Sequence, residues 1–189
     1  MDLIIASNNK HKVDEIKDLL KHKFDNIYSL SEKGIDIEID ETGSTFYENA
    51  LIKAKAVYDI TSTPVIADDS GLMVDALNGA PGVMSARYAG YPCNDFNNNR
   101  KLLNALEGKP RGAKFVSEVV LYYSPDNIVT GRGEVMGEIL YEERGEGGFG
   151  YDPLFYCYEL KKTFAQADFR EKNSVSHRAR AVMALIDKL

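Results

Sequence analysis

The 189-residue chain has no apolar run that approaches the roughly 20 residues a membrane span needs. Its opening, MDLIIASNNK, has neither a basic leader nor a long apolar segment, so a cytoplasmic protein with no membrane partner is expected. Cysteine is scarce: Cys93 in YPCND and Cys157 in FYCYE stand alone, far from the CxxC spacing of a zinc site. Structural thiols are expected in place of a disulfide framework or a cysteine metal centre. Basic tails and Lys/Arg-rich runs are also missing, and with a formal net charge of −6 this disfavours a polymeric nucleic-acid partner. A small anion held by a few cations inside a cleft remains compatible with that charge. No internal repeat, low-complexity tract or long linker breaks the chain, and 44% hydrophobic residues suffice for one well-buried domain or two closely joined lobes.

What is present reads as strands interleaved with helices, then a hairpin. LIIA (3 to 6) predicts a strand, followed by the polar SNNKHK and a helix on which Val13, Ile16, Leu19 and Leu20 recur at helical spacing. Asp14 and Glu15 near its start suit the helix dipole. A strand feeding a polar loop that opens a helix offers backbone N–H groups to phosphate, although the Walker A spacing is absent. IDIEI (35 to 39) alternates like a strand, and Thr45 with Glu48 makes a capping-box pattern for a helix over 46 to 60. PVIA, the turn-like DDSG, a second apolar run LMVDAL and the turn NGAPG follow. A helix near 96 to 107 ends at Gly108, two long strands flank SPDN, and a last helix is expected over 174 to 188. The class is α/β with a mixed sheet.

Several residues are not explained by local structure. On helix 46 to 60, Phe46, Ala50, Ala54, Val57 and Ile60 form one apolar arc, and Lys53 lands inside it with Asn49 one turn earlier. Lys53 either snorkels to solvent or aims its ammonium at an anion beside the sheet. Val175, Ala179, Val182, Met183 and Ile186 give the last helix an apolar face, yet His177 and Arg178 sit in its first turn with Lys172 upstream. Cations there oppose the helix dipole, and a bound phosphate would reverse that sign. GGFGYDP (147 to 153) combines glycines with Phe149 and Tyr151, which serve either the core or a stacked base. Asp40, Glu41, Asp68 and Asp69 lie in loops at strand ends; two loop carboxylates plus substrate phosphates is how Mg²⁺ is commonly held.

Taken together, SNNKHK, ETGSTFYENALIKA, ADDSGL, GAPGVMSARYAG, GGFGYDPLF and EKNSVSHRARA resemble the inosine triphosphate pyrophosphatase family, in order and over essentially the whole chain. The resemblance implies a single domain over residues 1 to 189, an elongated mixed sheet flanked by helices with two lobes around a central nucleotide-binding cleft, and a homodimer. It also implies Mg²⁺-dependent cleavage of dITP, ITP, XTP or dXTP to the monophosphate and pyrophosphate, cleansing the nucleotide pool. Position by position, it assigns Ser7, Asn8, Asn9, Lys10, His11 and Lys12 to the triphosphate loop, and Lys53 and Lys172 to phosphate. Ser70 lines the site, and Phe149, Gly150, Tyr151, Asp152, His177 and Arg178 receive the purine. Asp69 is implied as metal ligand and proton acceptor for water, with Asp40 or Glu41 as second metal contact. Two departures stand out: Asp40 where many relatives carry Glu, and Asn8 in place of a frequent Gly. A Maf-like pyrophosphatase would open on a loop resembling SxSPRR, which SNNKHK does not match. The expected local geometry at DDSG is a strand followed by a tight turn. Neighbouring residues in extended chain point to opposite sides, so Asp68 would brace the loop while Asp69 faces metal and water.

Overall fold

Leu3, Ile4 and Ile5 are apolar in succession, the pattern of a strand covered on both faces. They form β1 (Asp2–Ile5), the start of a computed structural model that describes residues 2–189. The chain continues through α1 (Lys10–Leu20), β2 (Asn26–Ser29), α2 (Phe46–Thr61), β3 (Val65–Val74) and α3 (Asp95–Ala105). The long strands β4 (Gly112–Ser124) and β5 (Asn127–Ile139) follow, then β6 (Phe155–Cys157), β7 (Lys162–Thr163), α4 (Phe169–Val175) and α5 (His177–Ile186). The strands make one mixed sheet in the order β2-β1-β3-β4-β5-β6-β7. β1 pairs in parallel with β2 and β3, whereas β6 pairs antiparallel with both β5 and β7.

Two compact units share these strands. The first contains the residues up to Asp69, Ser117–Gly133 and Arg178–Leu189. Strand alternation gives it two apolar layers. Leu3, Ile5 and Ile66 pack with Ile16 and Leu20 of α1 and Val182 and Leu185 of α5. Ile4, Val65 and Ala67 face the other way onto Ala50, Ala54 and Val57 of α2. The second unit contains Ser70–Val116 and Glu134–His177 and is cored by Leu72, Val74, Leu102, Leu154 and a cluster of aromatics. Phe115 meets Phe155 edge-on at 4.7 Å between ring centroids.

The capping box at Thr45 and Glu48 is formed, and the hairpin turns at SPDN as expected. Four local expectations are corrected. DDSG is no turn: β3 runs unbroken from Val65 to Val74 because each carboxylate finds partners across the strand, so tertiary context overrides turn propensity. IDIEI is not a strand; Ile35, Ile37 and Ile39 lay one side of an unladdered segment on the first unit's core, so its alternation reports burial alone. The last helix is two, broken at Ser176 in extended conformation, and a capping box at Asp168 and Glu171 opens α4 at Phe169, eight residues before His177 opens α5. Ala181, Val182 and Leu185 form the buried face of α5, while Met183 and, on α2, Ile60 are exposed. The strand β2 had no clear sequence signal, being four residues at the sheet edge. Cys157 is buried, as a structural thiol should be, but Cys93 is exposed.

Helix α5 approaches β5 closely at Gly131, where an added Cβ would stand 2.0 Å from the Ala181 carbonyl oxygen and 2.8 Å from the Leu185 nitrogen. Backbone cannot yield as a side chain can. Gly131→Ala is therefore expected to cost ~3 kcal/mol or more, the upper end for overpacking. A urea denaturation curve checks this, and an unchanged midpoint would remove the close approach from the fold's requirements.

Candidate functional site

Within the extended β3, Asp68 and Asp69 project to opposite sides, as the pleat demands. Asp68 is 1% exposed and collects partners from three elements. Ser117 on β4 donates its hydroxyl to Oδ1 at 2.5 Å. Lys12 Nζ on α1 lies 2.8 Å from Oδ2, and Arg178 Nε on α5 donates to the same oxygen at 3.3 Å. Arg178 is itself 1% exposed, and its guanidinium also pairs with Glu15 of α1. Burial alone would raise the Asp68 pKa, but the Arg178 and Lys12 charges and the two hydrogen bonds hold it well below the usual carboxylate range. The same carboxylates keep Arg178 firmly protonated against its own burial.

Asp69 turns towards α2. Asn49 Nδ2 donates to its Oδ2 at 3.1 Å, and Lys53 Nζ stands 3.5 Å from its Oδ1. Lys53 also pairs with Glu41 at 2.8 Å, so the lysine in the apolar arc does not snorkel into bulk water but bridges two carboxylates. Burial pushes the Asp69 pKa up, and Glu41 and Asp68 add to this; Lys53 and Lys12 only partly oppose it. Lys53 is driven the other way from what burial alone would give, with its pKa raised by Asp69 and Glu41. Of the two acidic residues left open at 40 and 41, Glu41 joins this cluster and Asp40 is exposed. Glu41 and Asp69 supply hard oxygen donors around one bridged cation, a set that fits Mg²⁺ completed by phosphate oxygens and water. Among the described residues, no group of three or more His, Cys, Asp or Glu is arranged as a protein-only metal cage.

The polar loop after β1 is shorter than expected because α1 already begins at Lys10. Asn9 caps it, its side chain accepting the Lys12 N–H at 3.2 Å, and Ser7 Oγ accepts the Asn9 N–H at 3.2 Å. Asn8, Asn9, Lys10 and His11 are exposed around this first turn, and Ser7 is half-buried. Ser70 follows Asp69 in β3 and belongs to the second unit.

In the second unit, GGFGYDP folds back on itself. Gly148 and Gly150 take positive φ, and the Phe149 N–H donates to Asp152 Oδ2 at 3.0 Å. Lys172 Nζ reaches the same Asp152 oxygen at 2.7 Å and lies 4.6 Å above the Phe149 ring centroid. Lys172 is therefore built into this loop of the second unit, and Lys53 belongs to the first. Tyr151 is buried and donates its hydroxyl to the Ser85 carbonyl at 2.7 Å, which ties in the GAPGVMSARYAG segment. His177 stacks on Phe115 at 4.8 Å with an interplanar angle of 13°. The sequence reading missed Glu15, Asn49 and Ser117 as parts of the carboxylate network. Only Asn49 carries a signal, as an amide one turn before Lys53 beside an apolar arc.

The two neighbouring carboxylates should respond differently to neutralisation. Asp68→Asn leaves Arg178 and Lys12 without their shared partner, and breaking a buried pair from one side costs ~3–5 kcal/mol. Asp69→Asn removes a charge that burial already disfavours and should move the urea midpoint far less. Equal losses in the two variants would dismiss this division.

A sequence profile described as the Ham1 family matches residues 3–188. The chain is 48% identical over 192 residues to a dITP/XTP pyrophosphatase of Desulforamulus reducens, covering 100% of this chain and 96% of that one. It is also 48% identical over 191 residues to a dITP/XTP pyrophosphatase of Clostridium tetani, covering 99% and 95%. Among solved structures, the Staphylococcus aureus Ham1 protein superposes with a TM-score of 0.88 at 42% identity, covering 100% of this chain and 97% of that chain. A HAM1 protein from Coxiella burnetii gives a TM-score of 0.89 at 40% identity, covering 100% and 98%. With the profile spanning nearly the full length and the fold shared from end to end, the chain belongs to the Ham1 family.

Proposed function

We propose that the protein is a nucleoside triphosphate pyrophosphatase that hydrolyses non-standard purine nucleotides, dITP, ITP, XTP and dXTP, to the monophosphate and pyrophosphate. The observation that carries the reading is the Glu41–Lys53–Asp69 arrangement beside Lys12 and the first turn of α1. Relatives 48% identical over nearly their full length bear the name dITP/XTP pyrophosphatase, which supports the substrate class.

Asp69 and Glu41 would hold Mg²⁺, which when bound supplies charge neutralisation to the polyphosphate. The chain's own residues supply the rest. Asp69, whose proton affinity is raised by burial, accepts the proton of the attacking water, a role closed to Asp68 because Arg178 and Lys12 keep it ionised. Lys12 and Lys53 balance phosphate charge, and Ser7, Asn8, Asn9, Lys10 and His11 contribute the polar loop and the positive end of α1. Ser70 lines the site beside Asp69. The base goes to Phe149, Gly150, Tyr151 and Asp152 with His177, and Lys172 keeps the Phe149 loop in place through Asp152. Donors aimed at a 6-oxo group reject the 6-amino group of adenine, because a buried hydrogen bond left unmade gives the larger discrimination. Arg178 acts through Asp68, which its guanidinium holds. The reading further takes the protein as a cytoplasmic homodimer with two lobes in one domain.

Purified protein incubated with a nucleotide panel, with pyrophosphate resolved from orthophosphate, tests the proposal. Pyrophosphate should appear from dITP, ITP and XTP, with ATP and GTP poor substrates, and chelation of Mg²⁺ should abolish it. Asp69→Asn should keep the fold and lose at least about a hundredfold in kcat, within the range general base catalysis contributes. Orthophosphate as the sole product, or equal turnover of ATP, would defeat the reading.

A further inference from the structure

Asn49 is 0% exposed on α2, so both ends of its amide must find partners inside the protein. Its Oδ1 accepts the Gly43 N–H at 2.8 Å. A backbone N–H only donates, which fixes the other end as the NH₂ group, and that group donates to Asp69 Oδ2 at 3.1 Å. One oxygen of Asp69 is thereby occupied, and the other, Oδ1, is left turned to the Lys53 ammonium that also meets Glu41. Gly43 lies two residues after Glu41, so the same amide fastens the Glu41 loop and the Asp69 strand to one helix.

The glycine is part of the device. A Cβ at position 43 would stand 2.7 Å from Asn49 Oδ1 and 2.6 Å from Glu48 Cβ, so any side chain there pushes the loop off the amide. Glu48 Oε2 holds the next two residues by accepting the Ser44 N–H at 2.7 Å and the Thr45 N–H at 3.1 Å. The loop between Glu41 and α2 thus has a defined seat, with Asn49 at its base.

We propose that Asn49 is the positioning residue of the Asp69 carboxylate: seated by the Gly43 N–H, it presents Oδ1 of Asp69 and the neighbouring Glu41 to a divalent cation and the attacking water. The inference rests on the reading of Asp69 given above and adds to it the residue that selects the reactive oxygen. A merely structural amide would affect stability alone. A positioning amide affects turnover and cation binding while leaving nucleotide binding intact.

The experiment compares wild type, Asn49→Ala and Gly43→Ala by steady-state kinetics with dITP, by Mn²⁺ binding in the presence of inorganic pyrophosphate followed by electron paramagnetic resonance, and by urea denaturation. Both variants should lose about ten- to a hundredfold in kcat and bind Mn²⁺ correspondingly more weakly, the size typical for partners that orient metal ligands, with KM for dITP within about twofold of wild type. Unchanged kcat and Mn²⁺ affinity in folded Asn49→Ala overturns the proposal. Should Asn49→Ala fail to fold, Gly43→Ala decides on the same readouts, since it displaces the loop and keeps the amide. A wild type that releases no pyrophosphate but loses Mn²⁺ affinity on either substitution would sink the nucleotide reading and leave the positioning role supported.

Discussion

The structure turns on the buried pair between Arg178 and Asp68. A carboxylate taken out of water costs several kcal/mol unless charge and hydrogen bonds replace its hydration. For Asp68 that replacement comes from α1, β4 and α5, whose residues lie far apart in sequence. Because these partners exist, β3 can continue through two adjacent carboxylates without turning. Once the strand is extended and Asp68 faces its partners, the pleat leaves Asp69 one direction, towards α2. A stability requirement on one residue therefore sets the geometry of its neighbour.

That geometry makes two chemically identical groups behave differently. Burial acts in the same direction on both, favouring the protonated form. Asp68 has two cations and a hydroxyl at hydrogen-bonding distance, and they outweigh burial. Asp69 has a neutral amide and one ammonium at 3.5 Å, with Glu41 and Asp68 pulling the other way, so burial prevails. Two carboxylates with proton affinities driven apart by their surroundings is the pattern by which a site assigns one acid-base role and one supporting role. On the proposed function that assignment would follow from which face of a single strand each residue occupies.

Much of this was legible in the sequence where a local rule acts alone. The capping box at Thr45 and Glu48, the hairpin at SPDN and the periodicity of α1 and α2 all depend on neighbours within a few residues. The misreadings came where distant partners decide. DDSG has turn composition, yet Ser117, 49 residues away from Asp68, and Arg178, 110 residues away, supply what a turn would otherwise provide. The break at Ser176 was hidden because Val175 and Ala179 keep helical spacing across it, although Asp168 and Glu171 already marked an earlier helix start. Lys53 carries a legible signal, since an ammonium inside an apolar arc needs a counter-charge, and it pairs with Glu41 and Asp69. Glu15 was invisible because a glutamate near a helix start is explained by the dipole alone, and only the fold reveals that it meets Arg178.

Lys12, Lys53, Lys172 and Arg178 are each engaged by a carboxylate, so on the proposed function an incoming polyphosphate would compete for them. Burial decides which can change partner. Freeing Arg178 or Lys172 would break a buried pair with a carboxylate that is almost wholly enclosed, Asp68 or Asp152, a loss of ~3–5 kcal/mol. Lys12 and Lys53 retain side-chain exposures of 15% and 12%, and the Glu41 partner of Lys53 retains 27%. On the proposed function Lys53 would be the easiest to reassign, because a divalent cation held by Glu41 and Asp69 would replace the charge its ammonium withdraws. Cation binding and release of Lys53 towards phosphate would then be one exchange. The buried ion pairs at Lys172 and Arg178 would stay in place through such an exchange.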